Sequence, residues 1–315
     1  MMLSLADLHC DTLYELFAKN QSPNDRTLAV RWNDTVTSVY RFYLQIAAIW
    51  CADSLSDEQA FQQCLSILER LENHPFSKLL CRSDAVSSLQ KPISLFLAVE
   101  DARLLAQDID RLAVLRQKGI RFLTLLWKGC SCIGGAYDTE TGLTDFGKQV
   151  VKRCTELGIV PDISHASLKS AQEIIEEADG HPVIASHSNA FQVFPHPRNL
   201  NDSLFDMVRS SGGLVGINLY VQHLGSGHLK GTETEIILRH IDHFLSLDGE
   251  NTLCFGCDFD GAETPNRYQH PEDLYRLADY MLHIGYTETL IQKLFWKNAE
   301  SFIIKNIINN RQKKG

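Results

Sequence analysis

The chain has 315 residues, with 30 Lys and Arg against 39 Asp and Glu, a net charge of -9 and a pI near 5.7. That acidic balance, with no basic stripe, argues against nucleic acid as a partner, and no apolar run is long enough to cross a bilayer. A hydrophobic content of 44% with 22% charged residues excludes a disordered chain and suits one large α/β domain spanning 1–315.

Met1-Met2-Leu3-Ser4-Leu5 lacks a charged leader and a long apolar stretch, so no signal peptide is expected. The first strand is expected at 5–10 and runs into Asp7-Leu8-His9-Cys10-Asp11. Strand alternation would point His9 and Asp11 one way and Cys10 the other. A second strand is expected at 41–50 (RFYLQIAAIW), then a helix at 57–71. A third strand at 94–100 (SLFLAVE) ends on Glu100 and precedes a helix at 102–117, stopped near Gly119. The fourth strand, 121–127 (RFLTLLW), leads to a Gly-rich loop at 129–142 and a helix at 145–157. The fifth, 159–165 (IVPDISH), contains Pro161, which cannot donate to a ladder, so regular pairing is expected only beyond it. After a helix at 168–178 come strand six at 182–187 (PVIASH), a helix at 203–210 and strand seven at 214–220 (LVGINLY). A helix at 234–247, strand eight at 252–258 (TLCFGCD) and helices at 272–283 and 288–308 complete the chain. The polar, basic segment 309–315 reads as a solvated tail.

Strands alternating with helices require a parallel sheet, since each helix returns the chain for the next strand. Eight such repeats suggest closure into a (β/α)8 barrel of the TIM type, with an open doubly wound sheet as the alternative. In a barrel the C-terminal strand ends carry the chemistry. Here those ends read His9 and Asp11, Glu100, His165, His187 and Asp258. Singly, each is an ordinary cap or hydrogen-bonding residue. Together they put three imidazoles and three carboxylates at one rim, where buried acids need a cation, and such a set suffices for two divalent ions. The nine cysteines, an odd number without an export signal, suggest reduced thiols and a cytoplasmic protein. Cys254 and Cys257 are expected as small apolar core residues rather than zinc ligands.

These residues resemble the motifs of the membrane (renal) dipeptidase family, peptidase family M19, within the amidohydrolase superfamily of metal-dependent barrels. The likeness is carried by Asp7-Leu8-His9-Cys10-Asp11-Thr12-Leu13, Ala98-Val99-Glu100, Asp162-Ile163-Ser164-His165, Ala185-Ser186-His187-Ser188-Asn189-Ala190, Arg198-Asn199-Leu200-Asn201-Asp202 and Gly256-Cys257-Asp258-Phe259-Asp260-Gly261, with Asn298 matching a late helical motif. The resemblance implies a hydrolase acting on dipeptides, L-L and L-D, with two zinc ions bridged by Glu100 and a hydroxide. It implies His9 and Asp11 on one zinc, His165 and His187 on the other, Asp258 as the proton-handling carboxylate, and Arg198 on the substrate's carboxylate.

Two departures stand out. Trp127 occupies the place where mammalian members have a substrate-binding, oxyanion-stabilising histidine; it is expected to contact substrate or to form a packing wall. Asp101 follows Glu100 where the family usually has Gly, and is expected to contact substrate or to point outward. Loop residues His196, His223 and His228 receive no role, although His223 could line the pocket. Two alternatives remain at this stage: a metal-dependent amidohydrolase acting on N-acyl amino acids or other small amides, and a barrel that binds peptide or metal without turnover. The expected partner is a small dipeptide, with neither nucleic acid nor membrane, and a homodimer is left open.

Overall fold

The computed structural model describes residues 2–81 and 86–308. β1 (Leu5–Cys10), β2 (Tyr43–Ile49), β3 (Ile93–Glu100), β4 (Ile120–Thr124), β5 (Val160–Asp162), β6 (Val215–Ile217) and β7 (Leu253–Phe255) form one sheet in the order β5-β4-β3-β2-β1-β7-β6. Every pairing in it is parallel. All residues of β1, β2 and β3 are buried, because helices cover one face and side chains fill the other. Alternate strand residues (Ala6 and Leu8, Leu44 and Ile46, Phe96 and Ala98, Phe122, Val160) pack with Ile184, Leu214 and Cys254 into a single apolar cluster. Trp296, Phe302, Ile303 and Ile307 of the C-terminal helical segment pack into the same cluster.

The helices start where polar caps permit. Ser56, Thr144, Ser167, Asn201, Thr232 and Thr287 each accept a backbone N–H of the first turn that follows. The resulting helices include Asp57–Glu72, Asp145–Leu157, Leu168–Glu177, Asp202–Ser210 and Glu233–Ser246. The helix expected at 102–117 is instead a 3-10 turn, Ala102–Leu105, and a separate α-helix, Arg111–Gln117. Ala106 and Gln107 break it by taking φ values of 48° and 63°. The last segment alternates α turns with wider π turns at Lys293–Lys297 and Ile304–Ile308. The expected tail at 309–315 lies outside the described residues.

The sheet holds seven strands among the described residues where eight were expected, and four strand expectations need correction. β5 is only Val160–Asp162, and it includes Pro161, which sits opposite Leu123 of β4. The Pro161 carbonyl accepts from Ile184 N at 3.0 Å, while Asp162 O accepts from Leu125 N on the β4 side, so the absent N–H leaves the β4 pairing intact. Residues 182–187 form no extended strand. They contribute single parallel bridges, Asp162 with Ile184 and Ala185 with Val215. The ladder stops there because side chains take over the next backbone donors: Ser186 N bonds Asp162 Oδ1 (3.0 Å) and His187 N bonds Ser164 Oγ (3.1 Å). β6 and β7 are likewise three residues each; just beyond them Asn218 N bonds Asn189 Oδ1 (3.1 Å) and Cys257 N bonds Asp7 Oδ1 (2.8 Å).

Candidate metal centre

The C-terminal ends of the strands converge on one polar cluster. His9 lies in β1 with Asp11 just beyond it, Glu100 is the last residue of β3, and Asp258 follows β7. His165 lies three residues past β5, and His187 follows the bridged segment at 184–185. Alternation along a strand does not aim all of these side chains. His165 and Asp258 sit in the left-handed region, at φ 70° and 63°, and so does Asp101, at φ 79°. Such conformations cost non-glycine residues roughly 1–3 kcal/mol each and persist where the surroundings impose them.

Glu100 stands at the centre. Its Oε2 is 3.5 Å from His9 Nε2, while its Oε1 is 3.0 Å from His165 Nε2 and 3.6 Å from His187 Nε2. One carboxylate therefore presents its two oxygens to two different donor sets. His9 Nε2 is also 3.5 Å from Asp11 Oδ2 and 3.8 Å from Asp258 Oδ1. Donor atoms of His9, Glu100 and His187 lie within 4.8 Å of one another, as do those of His9, Asp11 and Asp258. All six sequence-derived cluster residues thus meet in one place.

The hydrogen bonds behind the imidazoles fix their protons. His165 Nδ1 is 3.0 Å from the Trp127 carbonyl, which can only accept, so the Nδ1–H donates. Ser186 Oγ lies 2.5 Å from Asp162 Oδ2 and 2.7 Å from His187 Nδ1. The hydroxyl gives its single proton to the carboxylate, so His187 Nδ1–H donates to Ser186 Oγ. In both neutral rings Nε2 is then a bare lone pair. These two lone pairs face each other at 2.9 Å and both face Glu100 Oε1. His9 Nε2 and Asp11 Oδ1 are buried and have no hydrogen-bond partner among the described residues. Electron-rich atoms converging without intervening protons fit divalent cations, and the second hydrogen bond on each ring is the arrangement that orients a ligating histidine.

The charges divide the imidazoles: His165 and His187 are favoured neutral, whereas the neighbouring acids favour a proton on His9. Burial, then the charges of His9 and Arg198, hold His187 well below the usual imidazole range, and burial and Arg198 lower His165. Burial also disfavours charge on His9, but Glu100 and Asp11 outweigh it and raise His9 well above its ordinary value. For Glu100 burial is opposed by His9 and His165, which hold the carboxyl well below its usual range. Burial and the Glu100 charge push Asp11 up to about 7, and burial also raises Asp258.

The cluster forms the floor of a cleft of about 500 Å³, lined by Trp50, Trp127, Tyr137, Arg198, Tyr220 and His223 among others. Arg198 is buried; among the described residues its Nε has no hydrogen-bond partner, and its Nη2 bonds the His187 carbonyl at 3.4 Å. Among the described residues no carboxylate lies within 4.0 Å of Arg198. Asp202, four residues on, pairs with His243 at 2.7 Å. Trp127 acts twice: its carbonyl holds His165, and its ring lines the cleft 5.3 Å from Trp50. Asp101 turns away from the cluster and pairs with Arg103 at 3.0 Å, which also removes Arg103 as a partner for Glu100.

Sequence reasoning missed the supporting polar residues. Asp162 accepts from Thr124, Ser164 and Ser186. Asp7 Oδ1 accepts from His9 N and Cys257 N and ties β1 to the chain beyond β7. Asn218 donates to Asp258. Each is a polar residue inside an apolar run, and that was the available signal. None of the nine cysteines forms a disulfide among the described residues, and Cys254 and Cys257 are buried and belong to no metal-donor group among them. No described helix is long and apolar enough to cross a membrane.

The sequence profile described as Membrane dipeptidase (Peptidase family M19) matches residues 2–313. A curated relative, an uncharacterized protein in the pqqA 5' region of Klebsiella pneumoniae, is 30% identical over 259 residues, 78% of this chain and 95% of that protein. Among solved structures, a dipeptidase described as a metallopeptidase of family M19 is 26% identical, with a TM-score of 0.86 over 97% of this chain and 99% of that one. A Rhodobacter sphaeroides metallopeptidase bound to a phosphinate mimic of the dipeptide L-Ala-D-Ala is 25% identical, with the same TM-score and coverage (0.86; 97% and 99%).

Proposed function

The chain belongs to the membrane dipeptidase family, peptidase family M19, and we propose that it hydrolyses the single amide bond of dipeptides with two divalent ions, zinc being the expected metal. The observation that carries this reading is the split of Glu100 between His9 on one oxygen and the bare Nε2 atoms of His165 and His187 on the other. His9 and Asp11 would hold one ion, His165 and His187 the second, and Glu100 both. Such ions supply an acidified water and a Lewis acid for the scissile carbonyl.

The remaining work falls to side chains of this chain. Asp258, raised by burial and held by Asn218, takes a proton from the attacking water and returns it to the departing amine. Arg198 offers a buried, pre-placed fork of donors to the substrate's C-terminal carboxylate. Trp50 and Trp127 form an apolar wall for a substrate side chain. Acids at the cleft, Asp11, Asp258 and Glu263, favour a charged amino terminus over an N-acyl group. Tolerance of a D-residue at the second position is supported by the L-Ala-D-Ala mimic bound to the Rhodobacter sphaeroides relative. The bridges at Ile184 and Ala185 support reading the sheet as a closed (β/α)8 barrel, and nine cysteines without a disulfide among the described residues support a cytoplasmic setting.

The test is elemental analysis of the purified protein together with a panel of L-L, L-D and N-acetylated substrates, with and without chelator. We expect about two metal equivalents, hydrolysis of free dipeptides, and loss on chelation that zinc restores. Metal-loaded protein inert toward every dipeptide would overturn the proposal.

A further inference from the structure

His223 lies in the short helix Val221–Leu224 beyond β6, buried in the wall of the cleft that also contains Arg198 and Asp258. Its proton can be placed. Asn218 Oδ1 accepts from Tyr220 N at 2.6 Å, which fixes the orientation of the amide and makes Nδ2 the donor. That Nδ2 lies 3.2 Å from Asp258 Oδ2, 3.4 Å from the His187 carbonyl and 3.4 Å from His223 Nδ1. An amide NH2 only donates, so His223 Nδ1 accepts and is bare. Burial and the nearby Arg198 charge hold the ring well below the usual imidazole range, so it is neutral, with its proton on Nε2. Among the described residues no protein group bonds that Nε2.

The ring is also held in place. It packs 4.7 Å from His196 and edge-on to Tyr220 at 4.6 Å, and Asn199 Nδ2 donates to the His223 carbonyl at 2.8 Å. His196 in turn accepts from Arg198 N at 3.2 Å. His223 therefore shares its support with Arg198, and among the described residues it makes no hydrogen bond or ring contact with His9, Asp11, Glu100, His165 or His187. A rigid N–H of fixed tautomer, on the Arg198 side and without a protein acceptor, is placed for an anionic part of the substrate.

We infer that His223 donates its Nε2–H to the substrate's C-terminal carboxylate beside Arg198, and so sets the preference for a free acid over an amide or ester at that end. The inference rests on the dipeptidase reading above. A hydrogen bond to a charged acceptor contributes about 10- to 100-fold in affinity. The experiment compares the metal-loaded full chain with His223→Phe and His223→Gln on one dipeptide and its C-terminal amide. Phe fills the ring's space without a donor, and Gln keeps an N–H; thermal melting checks that both variants fold. We expect His223→Phe to raise KM for the dipeptide about 10-fold or more, to leave kcat within a few-fold, and to shrink the acid-over-amide preference, with His223→Gln recovering most of the loss. A fall in kcat at unchanged KM would assign the N–H to the reacting carbonyl and overturn the inference. So would an unchanged acid-over-amide ratio. A wild-type protein inert on all dipeptides would remove both the inference and the reading beneath it, whereas an active wild type with an indifferent His223→Phe removes the inference alone. If His223→Phe fails to fold, His223→Gln and His223→Asn decide by the same ratio: graded loss with donor reach supports the inference, and no loss in either overturns it.

Discussion

Removing one hydroxyl, with Ser186→Ala, tests whether the proton placement behind His187 matters. Ser186 Oγ links Asp162 Oδ2 (2.5 Å) to His187 Nδ1 (2.7 Å) in a fully enclosed setting. Without it, His187 Nδ1–H has no acceptor, and nothing keeps the proton off Nε2. Loss of such a partner typically weakens metal binding by about 10- to 100-fold, which is about 1.4–2.8 kcal/mol. The fold should survive, because Asp162 retains Thr124 Oγ1 at 2.7 Å, Ser164 N at 2.9 Å and Ser186 N at 3.0 Å. Thr124→Val is the control: it strips a similar bond from the same carboxylate without touching an imidazole. The assay is zinc titration of the apoprotein in competition with a chromophoric chelator, alongside urea denaturation of both metal-free variants. We expect Ser186→Ala to lose affinity and Thr124→Val to lose only stability, about 1 kcal/mol. Equal affinities for Ser186→Ala and wild type would refute the argument that Asp162 sets the His187 tautomer through Ser186.

Asp258→Asn keeps the shape of the side chain while removing its basicity, so kcat should fall by about 10²- to 10⁴-fold at unchanged metal content; unchanged turnover would exclude Asp258 as the proton carrier. Asp101 combines a left-handed φ of 79° with an ion pair to Arg103. Both Asp101→Ala and Asp101→Gly lose the pair, but only glycine relieves the backbone, so denaturation should show the Gly variant more stable than the Ala variant by about 1–2 kcal/mol. His240 is buried, accepts from Ala190 N at 3.1 Å and bonds the Leu224 carbonyl at 3.1 Å, and burial pushes it down to about 4. Its unfolded pKa is about 6.5, so the unfolded chain binds the extra proton. The stabilising contribution is present above pH 6.5 and is lost as pH falls toward 4, by on the order of 3 kcal/mol. In metal-free protein, denaturation at pH 7.5 and pH 5 should show a smaller acid loss for His240→Gln than for wild type; parallel losses would contradict the assignment.

The sequence by itself determined the alternation of strands and helices, the parallel sense of the sheet, and the six polar residues that its apolar runs lead into. Each apolar run had to be buried, and each led into a polar residue whose burial demands a partner. Hence His9, Asp11, Glu100, His165, His187 and Asp258 were all legible as a set. What the apolar pattern overestimated was strand length beyond β4, since 159–165, 182–187, 214–220 and 252–258 read as strands throughout. In those segments Asp162, Ser164 and Ser186 take backbone N–H groups or neighbouring side chains that a ladder would otherwise claim. Only the tertiary structure decided the left-handed turns at Asp101, His165 and Asp258 and the tautomers behind His165 and His187. It also decided the donor role of Asn218 toward Asp258 and His223. Burial is written in the local periodicity of the chain, whereas the direction of a side chain and the place of its proton depend on networks that reach partners tens of residues away, such as Asp162 behind Ser186 and Trp127 behind His165, brought together only by packing.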